Sequence, residues 1–145
     1  YLDTKLKDLM PPTLSPDSPF AQIIPRGVVG GPLTYSPKHK LTLSGDVKVP
    51  MGDAGALTAG AVFAYTSSQF VDGNLKIPGY SLLSLNAGLT NIAGTGIDIT
   101  AFANNVTNKK YRVTAGGGFE SGGILDYAYG QPRFYGLRVR YSFGQ

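Results

Sequence analysis

Apolar and polar residues alternate along much of this chain with a period of two, the repeat of an extended strand whose faces meet different surroundings. Leu41, Leu43, Gly45, Val47 and Val49 take one side of such a run, and Thr42, Ser44, Asp46 and Lys48 the other. A second run sets Leu57, Ala59, Ala61, Phe63 and Tyr65 against Thr58, Gly60, Val62, Ala64 and Thr66. A third sets Leu83, Leu85, Ala87 and Leu89 against Ser84, Asn86, Gly88 and Thr90. The fourth opens with Ile97, Ile99, Ala101 and Ala103 against Asp98, Thr100, Phe102 and Asn104, and its pattern runs on toward Tyr111. The sharpest alternation comes last, with Tyr135, Leu137, Val139, Tyr141 and Phe143 against Phe134, Gly136, Arg138, Arg140 and Ser142. Tyr1 to Leu9 alternate loosely and read as the tail of another strand, so the pattern predicts about six strands.

The connections alternate too. Pro50 to Gly55 and Asn91 to Gly96 are short turns by composition. Between them lie longer connections: Pro11 to Pro37 with seven prolines, Ser67 to Gly79, and the glycine-rich stretch from Ala115 to Gly130. Short turns at one end and long loops at the other are the rhythm of an up-and-down membrane barrel. Aromatic residues gather where such strands meet the headgroups. Phe63, Tyr65, Tyr80, Tyr111 and Tyr135 fall toward the long-loop side, Tyr141 and Phe143 toward the other, as two membrane-interface girdles. Barrels close with about eight strands or more, so this chain reads as a fragment of one. No signal peptide opens at Tyr1-Leu2-Asp3, as expected for the far end of a longer precursor.

Composition narrows the class further. The mean hydropathy is -0.02, and no run approaches the roughly 18 apolar residues of a membrane helix, which excludes a helical membrane protein. Alternating strands average to the same neutral value, so a spanning barrel stays in play. Twenty Gly, nine Tyr and a single Glu point to an all-β chain. The absence of cysteine removes disulfide frameworks and cysteine zinc clusters. A net charge of +4 is scattered. It fits solubility, anionic headgroups or an anionic ligand, and does not suggest nucleic acid.

Four segments go beyond alternation. Tyr129-Gly130-Gln131-Pro132-Arg133-Phe134-Tyr135-Gly136-Leu137-Arg138-Val139-Arg140-Tyr141-Ser142-Phe143 resembles the terminal strand of TonB-dependent receptors, which commonly reads G-x-P-R-x-Y/F-G-hydrophobic and ends on an aromatic. Phe102-Ala103-Asn104-Asn105-Val106-Thr107-Asn108-Lys109-Lys110-Tyr111 resembles the family's N-L-T/F-D/N-K-K-Y segment. Pro78-Gly79-Tyr80-Ser81-Leu82-Leu83 and Leu33-Thr34-Tyr35-Ser36-Pro37-Lys38-His39-Lys40-Leu41 are similar to the family's P-G-Y-x-L and P-x-x-K/F strand openings. Their order and spacing match across most of the chain. Gly144-Gln145 after Phe143 depart from the pattern, since the terminal aromatic often ends such barrels and marks them for the insertion machinery.

The resemblance implies an all-β, antiparallel up-and-down transmembrane barrel of about 22 strands, of which residues 1–145 supply the carboxy-terminal wall. The plug domain and earlier strands would lie outside this chain. It implies a bacterial outer-membrane location and active import of a siderophore, cobalamin or carbohydrate. The partners would be membrane lipid, a plug inside the lumen, the TonB-ExbB-ExbD complex acting through that plug, and the barrel-assembly machinery at the last strand.

Candidate residues follow from both lines of reasoning. Arg26, Phe119, Tyr127 and Tyr129 sit in the long loops, where guanidinium groups and aromatic faces suit an external small molecule. Arg138 and Arg140 share parity with Gly136 and should point inward, because arginine facing lipid near the midplane costs about 2–4 kcal/mol. The resemblance implies plug or barrel carboxylates as their partners. Pro132 suits a strand's first residue, having no donor to lose. Asn104, Asn105 and Asn108 read as strand-end caps, and the glycosylation match at Asn105-Val106-Thr107 reads as accidental. His39 stands without a nucleophile or metal partner. Gly116-Gly117-Gly118 precedes no helix and reads as loop rather than phosphate cradle. No catalytic constellation, metal set or cofactor motif emerges, so the chain reads as a non-enzyme. A passive porin or barrel adhesin, and a soluble carbohydrate-binding β-sandwich, remain the alternatives.

Overall fold

A computed structural model describes residues 1–8, 29–71, 75–116 and 123–143. The chain divides into two compact units. One comprises residues 40–66, 80–111 and 130–145. It holds a five-stranded antiparallel sheet built from β1 (Lys40–Pro50), β2 (Ala56–Thr66), β5 (Tyr80–Thr90), β6 (Ile97–Asn104) and β9 (Phe134–Tyr141), in that spatial order. The other comprises residues 1–39, 67–79 and 112–129. It carries two small hairpins, β3 (Gln69–Phe70) with β4 (Lys76–Ile77), and β7 (Arg112–Gly116) with β8 (Asp126–Tyr129). The all-β expectation holds.

The register of the large sheet decides which side chains share a face. Gly45, Ala61, Leu85, Ala103 and Tyr135 form one continuous row across all five strands. The rows on the same face are Leu43-Phe63-Leu83, Val47-Ala59-Ala87-Ala101-Leu137 and Val49-Leu57-Leu89-Ile99-Val139. The opposite face reads Asp46-Gly60-Asn86-Phe102-Gly136 and Lys48-Thr58-Gly88-Thr100-Arg138. Every strand therefore turns its apolar parity to one side and its polar parity to the other.

Among the described residues the side chains of the apolar face stay open. Leu137 is 74% exposed, Val139 68% and Leu85 41%. Among the described residues the buried apolar side chains are only Ala56, Val71, Ile77 and Ala115. A β-sandwich would enclose Leu85, Leu137 and Val139 between two layers, and the sandwich reading fails on that observation. With strand spacing of about 4.8 Å and a rise of about 3.3 Å per residue, the face covers on the order of 700 Å². The largest apolar patch on an ordinary soluble monomer covers about 300–600 Å².

Short 3-10 turns close the β1–β2 and β5–β6 connections at Gly52–Ala54 and Ile92–Gly94, at one common end of the sheet. Gly55 has φ +105°, and a Cβ there would run into the carbonyl of Thr90. Gly55→Ala is therefore expected to destabilise the fold by about 1–3 kcal/mol in urea unfolding, whereas Gly52→Ala, with open space at its Cβ and strain from its positive φ alone, is expected to cost less. At the second turn Asn91 is left-handed (φ 49°), its N–H donates to Asp98 Oδ1 at 2.8 Å, and its own Oδ1 accepts from Gly96 N at 3.3 Å. These side-chain bonds add to the turn's own backbone bonds, from Gly94 N to the Asn91 carbonyl at 3.2 Å and from Thr95 N to the Ile92 carbonyl at 2.9 Å.

Three boundaries differ from the sequence expectation. Residues 1–8 form no strand; instead Leu2 N donates to the Lys38 carbonyl, and Leu6 exchanges bonds with Gly31 and Gly30. Strand β6 stops at Asn104 and does not reach Tyr111, because Asn105 turns left-handed at φ 49°. The expected loop at 67–79 holds the β3–β4 hairpin, and the β7–β8 hairpin begins at Arg112, ahead of the expected loop at 115–130; both are organised around buried Val71, Ile77 and Ala115 with Leu75 and Tyr127 packed on them. Of the proline-rich connection, residues 11–28 lie outside the described residues.

Candidate functional site

The apolar face has a defined height. Strands β1, β2 and β5 are each 11 residues long, and a bilayer is crossed by about 9–11 residues of tilted strand. Phe63 and Tyr65 lie on this face toward the end opposite the 3-10 turns, Tyr135 lies near the start of β9 but in the middle row with Gly45, Ala61 and Leu85, and Tyr141 lies at the turn end, in register with Ile97. Just beyond β9, Phe143 meets Tyr141 edge-on, with ring centroids 4.5 Å apart.

Tyr80 departs from the expected girdle. Its partner in register is Thr66, which places it on the polar face, and its ring packs on Tyr111 at 4.5 Å. Tyr111 lies past the end of β6, where its carbonyl accepts from Gly130 N at 2.9 Å. A Cβ on Gly130 would enter the Tyr111 ring. The pair therefore closes the entrance to β9 instead of marking the outer border. Sequence parity carried the signal for Tyr80, since Ser81, Leu83 and Leu85 hold the other face.

The polar face is kept low by glycines. Side chains of Asp46 and Asn86 reach over Gly60 from either side, and Thr100 leans over Gly88, whose carbonyl accepts from Thr58 Oγ1 at 3.2 Å. The Phe102 ring lies across Gly136, its tip 3.0 Å from where a Cβ would stand. Arg138 and Arg140 lie on this face, as parity required, and both are exposed. The Arg138 guanidinium stands 5.7 Å from the centre of the Phe102 ring. Asp98, in register with Arg140, accepts the backbone N–H of Asn91 at Oδ1.

Where β6 ends, Asn105 is 5% exposed and satisfies its surroundings completely. Its Nδ2 donates to the carbonyls of Lys109 (2.9 Å) and Gln131 (3.0 Å), and its Oδ1 accepts from Lys109 N at 2.8 Å. Asn108, also left-handed, accepts from Arg133 N at 3.2 Å, and Val106 N donates to the Leu83 carbonyl at 2.9 Å. This clip ties β5, the end of β6 and the approach to β9 together. A buried Asn105 amide offers nothing to a modifying enzyme, so the sequon is structural.

In the other unit, the expected ligand residues separate. Arg26 and Phe119 lie outside the described residues. Tyr127 is already committed: Arg112 stacks on its ring at 3.8 Å, and the ring packs on the Val71, Ile77 and Ala115 cluster. Tyr129, opposite Arg112 in register, is 59% exposed and keeps its ring free for contact. Tyr35, with φ 54°, bonds through its hydroxyl to Thr114 Oγ1 at 2.6 Å. The roles of Arg112 and Tyr35 escape a sequence reading because their partners are distant in the chain. His39 packs against Tyr1 at 5.4 Å.

Comparison with solved structures gives a likeness to the ferric yersiniabactin uptake receptor FyuA from Yersinia pestis, with a TM-score of 0.71 and 17% sequence identity. The match covers 80% of this chain and 18% of that one. The fold is that of a barrel-wall segment. At such identity the likeness speaks to fold alone, and the chain spans under a fifth of the receptor's length. No protein-family model and no curated protein matches the chain.

Proposed function

We propose that this chain forms carboxy-terminal wall and external loops of a TonB-dependent receptor in the bacterial outer membrane, importing a siderophore, cobalamin or carbohydrate. The segregation of the sheet into an uncovered apolar face of bilayer height and a polar face bearing Arg138 and Arg140 carries this reading. Lipid is the surrounding that stabilises such a face without a second layer, because strands paired into a closed barrel leave no backbone group unsatisfied in hydrocarbon. Within the described residues β1 and β9 each pair on one edge only, and closure with further strands would satisfy the other edges. The polar face would line the lumen and meet a plug, whose carboxylates would pair with Arg138 and Arg140. Energy would reach the plug from TonB-ExbB-ExbD, and the β9 strand would address the assembly machinery.

Uptake measurements test this directly. Cells lacking the gene should lose energy-dependent accumulation of one labelled nutrient from a panel of ferric siderophores, cobalamin and oligosaccharides, and a proton uncoupler should abolish the same uptake in wild-type cells. Uptake that survives the uncoupler would instead identify a passive porin. Among the loop residues, Tyr129→Ala, Arg26→Ala and Phe119→Ala should weaken uptake with unchanged barrel yield. Tyr127→Ala should also lower stability, because its ring supports the hairpin cluster.

A further inference from the structure

Charge is divided unevenly between the two ends of the five-stranded unit. Lys109, Lys110 and Arg133 lie just past β6 and just ahead of β9, at the end opposite the 3-10 turns, and all three are exposed. The carboxylates of this unit stand elsewhere: Asp53 in the first turn, Asp98 beside the second, and Asp46 on β1 at the other edge of the sheet. Among the described residues none of the three cationic side chains has an ion-pair partner. Their main chains are nevertheless held in place. Asn105 Nδ2 donates to the carbonyls of both Lys109 and Gln131, and Asn108 Oδ1 accepts from Arg133 N. One side chain thus draws the two segments together, and the three cations rise from a single fixed patch. Arg133 comes one step before the last register pair, Asn104 with Phe134, and continues the parity of Tyr135, Leu137 and Val139 on the apolar side. An arginine on that side is costly at the bilayer midplane but costs only about 0–1 kcal/mol near the interface.

We propose that Lys109, Lys110 and Arg133 form a docking patch for the phosphate of a lipid headgroup at the long-loop border of the bilayer. Three cations with no carboxylate beside them attract a phosphate, and the guanidinium fork matches two of its oxygens. The open apolar face continues from the patch through Leu137 and Val139, where acyl chains would lie. A free phosphate has no use for that face, so the adjacency selects a lipid. The patch follows the parity of the apolar side, which a plug in the lumen would leave uncovered. The barrel reading above supplies the bilayer, and this inference rests on it.

Native mass spectrometry of the full-length protein in detergent tests it, with diphosphorylated lipid A, the same lipid stripped of phosphate, and glycerol 2-phosphate as probes. Wild type should bind the phosphorylated lipid most tightly. Its affinity should fall about fivefold in Arg133→Gln and about 25-fold in the double variant Lys109→Gln, Lys110→Gln, the shares of one and of two cations near an anionic surface. The clip uses main-chain atoms of Lys109 and Arg133, so these variants should keep the heat-modifiable gel band of the wild type. Lys48→Gln, on β1, should leave binding unchanged. Equal affinities in wild type and both variants would overturn the patch, and so would a dephosphorylated lipid that binds as tightly as the phosphorylated one. Glycerol 2-phosphate binding as tightly as the lipid would make this a free-phosphate site and overturn the headgroup assignment. Loss of discrimination among the probes in a protein that keeps its heat-modifiable band would remove this inference alone. Phosphorylated lipid bound through these residues in a protein without such a band would keep the patch and remove the barrel reading.

Discussion

Leu137→Arg is expected to destabilise the folded protein by about 2–4 kcal/mol, the cost of a guanidinium on the lipid face near the midplane. Leu137 sits in the row Val47-Ala59-Ala87-Ala101, adjacent to the central row of the longest strands, and is 74% exposed. On a soluble protein so exposed a position tolerates arginine within about 0.5 kcal/mol. The same substitution at Ser84, on the opposite face, is expected to cost under about 1 kcal/mol. Urea titration of the full-length protein in bilayers, followed by the folded gel band, measures both. Equal costs at the two positions would mean that the apolar face does not contact hydrocarbon.

Asn105→Ala is expected to cost about 3 kcal/mol or more. It removes three hydrogen bonds at once and leaves the amide and carbonyl of Lys109 and the carbonyl of Gln131 without their partner. Alanine also resists the left-handed backbone that asparagine holds at φ 49°. A second consequence concerns register. The clip fixes where Gln131 and Arg133 approach, and a slip of β9 by one residue would carry Arg138 and Arg140 to the apolar face. Asn105→Asp should fall between alanine and wild type, because it keeps the acceptor for Lys109 N and loses both donations. Folded yield and urea midpoint of the three proteins check that order, and equal stability of all three would refute the clip.

The sheet was legible in the sequence because a period of two is its direct physical signature. Leu41 through Val49 and Tyr135 through Tyr141 show their faces without any partner being known, and the observed register keeps those parities. The turns at Gly52–Ala54 and Ile92–Gly94 were legible from glycine and asparagine. The β3–β4 hairpin was not, because two-residue strands have no period to read, and the β7–β8 hairpin, of five and four residues, was not because its glycine-rich sequence reads as loop and Ala115 and Tyr127 pack with Val71 and Ile77, far away in the chain. Tyr80 and Tyr111 show a different failure. Aromatic residues near a strand end suggest a border, but the face is set by register and by where the strand stops, and here the two rings pair with each other. For the loop ligand residues, Tyr127 was indistinguishable from Tyr129 until Arg112 was found on its ring.

A nitroxide scan of β9 would examine the two-faced wall most directly. The 145 residues contain no cysteine, so single cysteines at 135 through 140 can be labelled in full-length protein whose cysteines elsewhere, if any, are replaced, and compared in bilayers for collision with oxygen and with a water-soluble nickel chelate. Labels at 135, 137 and 139 should favour oxygen, and those at 136, 138 and 140 should not. Accessibility that fails to alternate, or alternates with the opposite phase, would contradict a wall whose apolar side meets lipid.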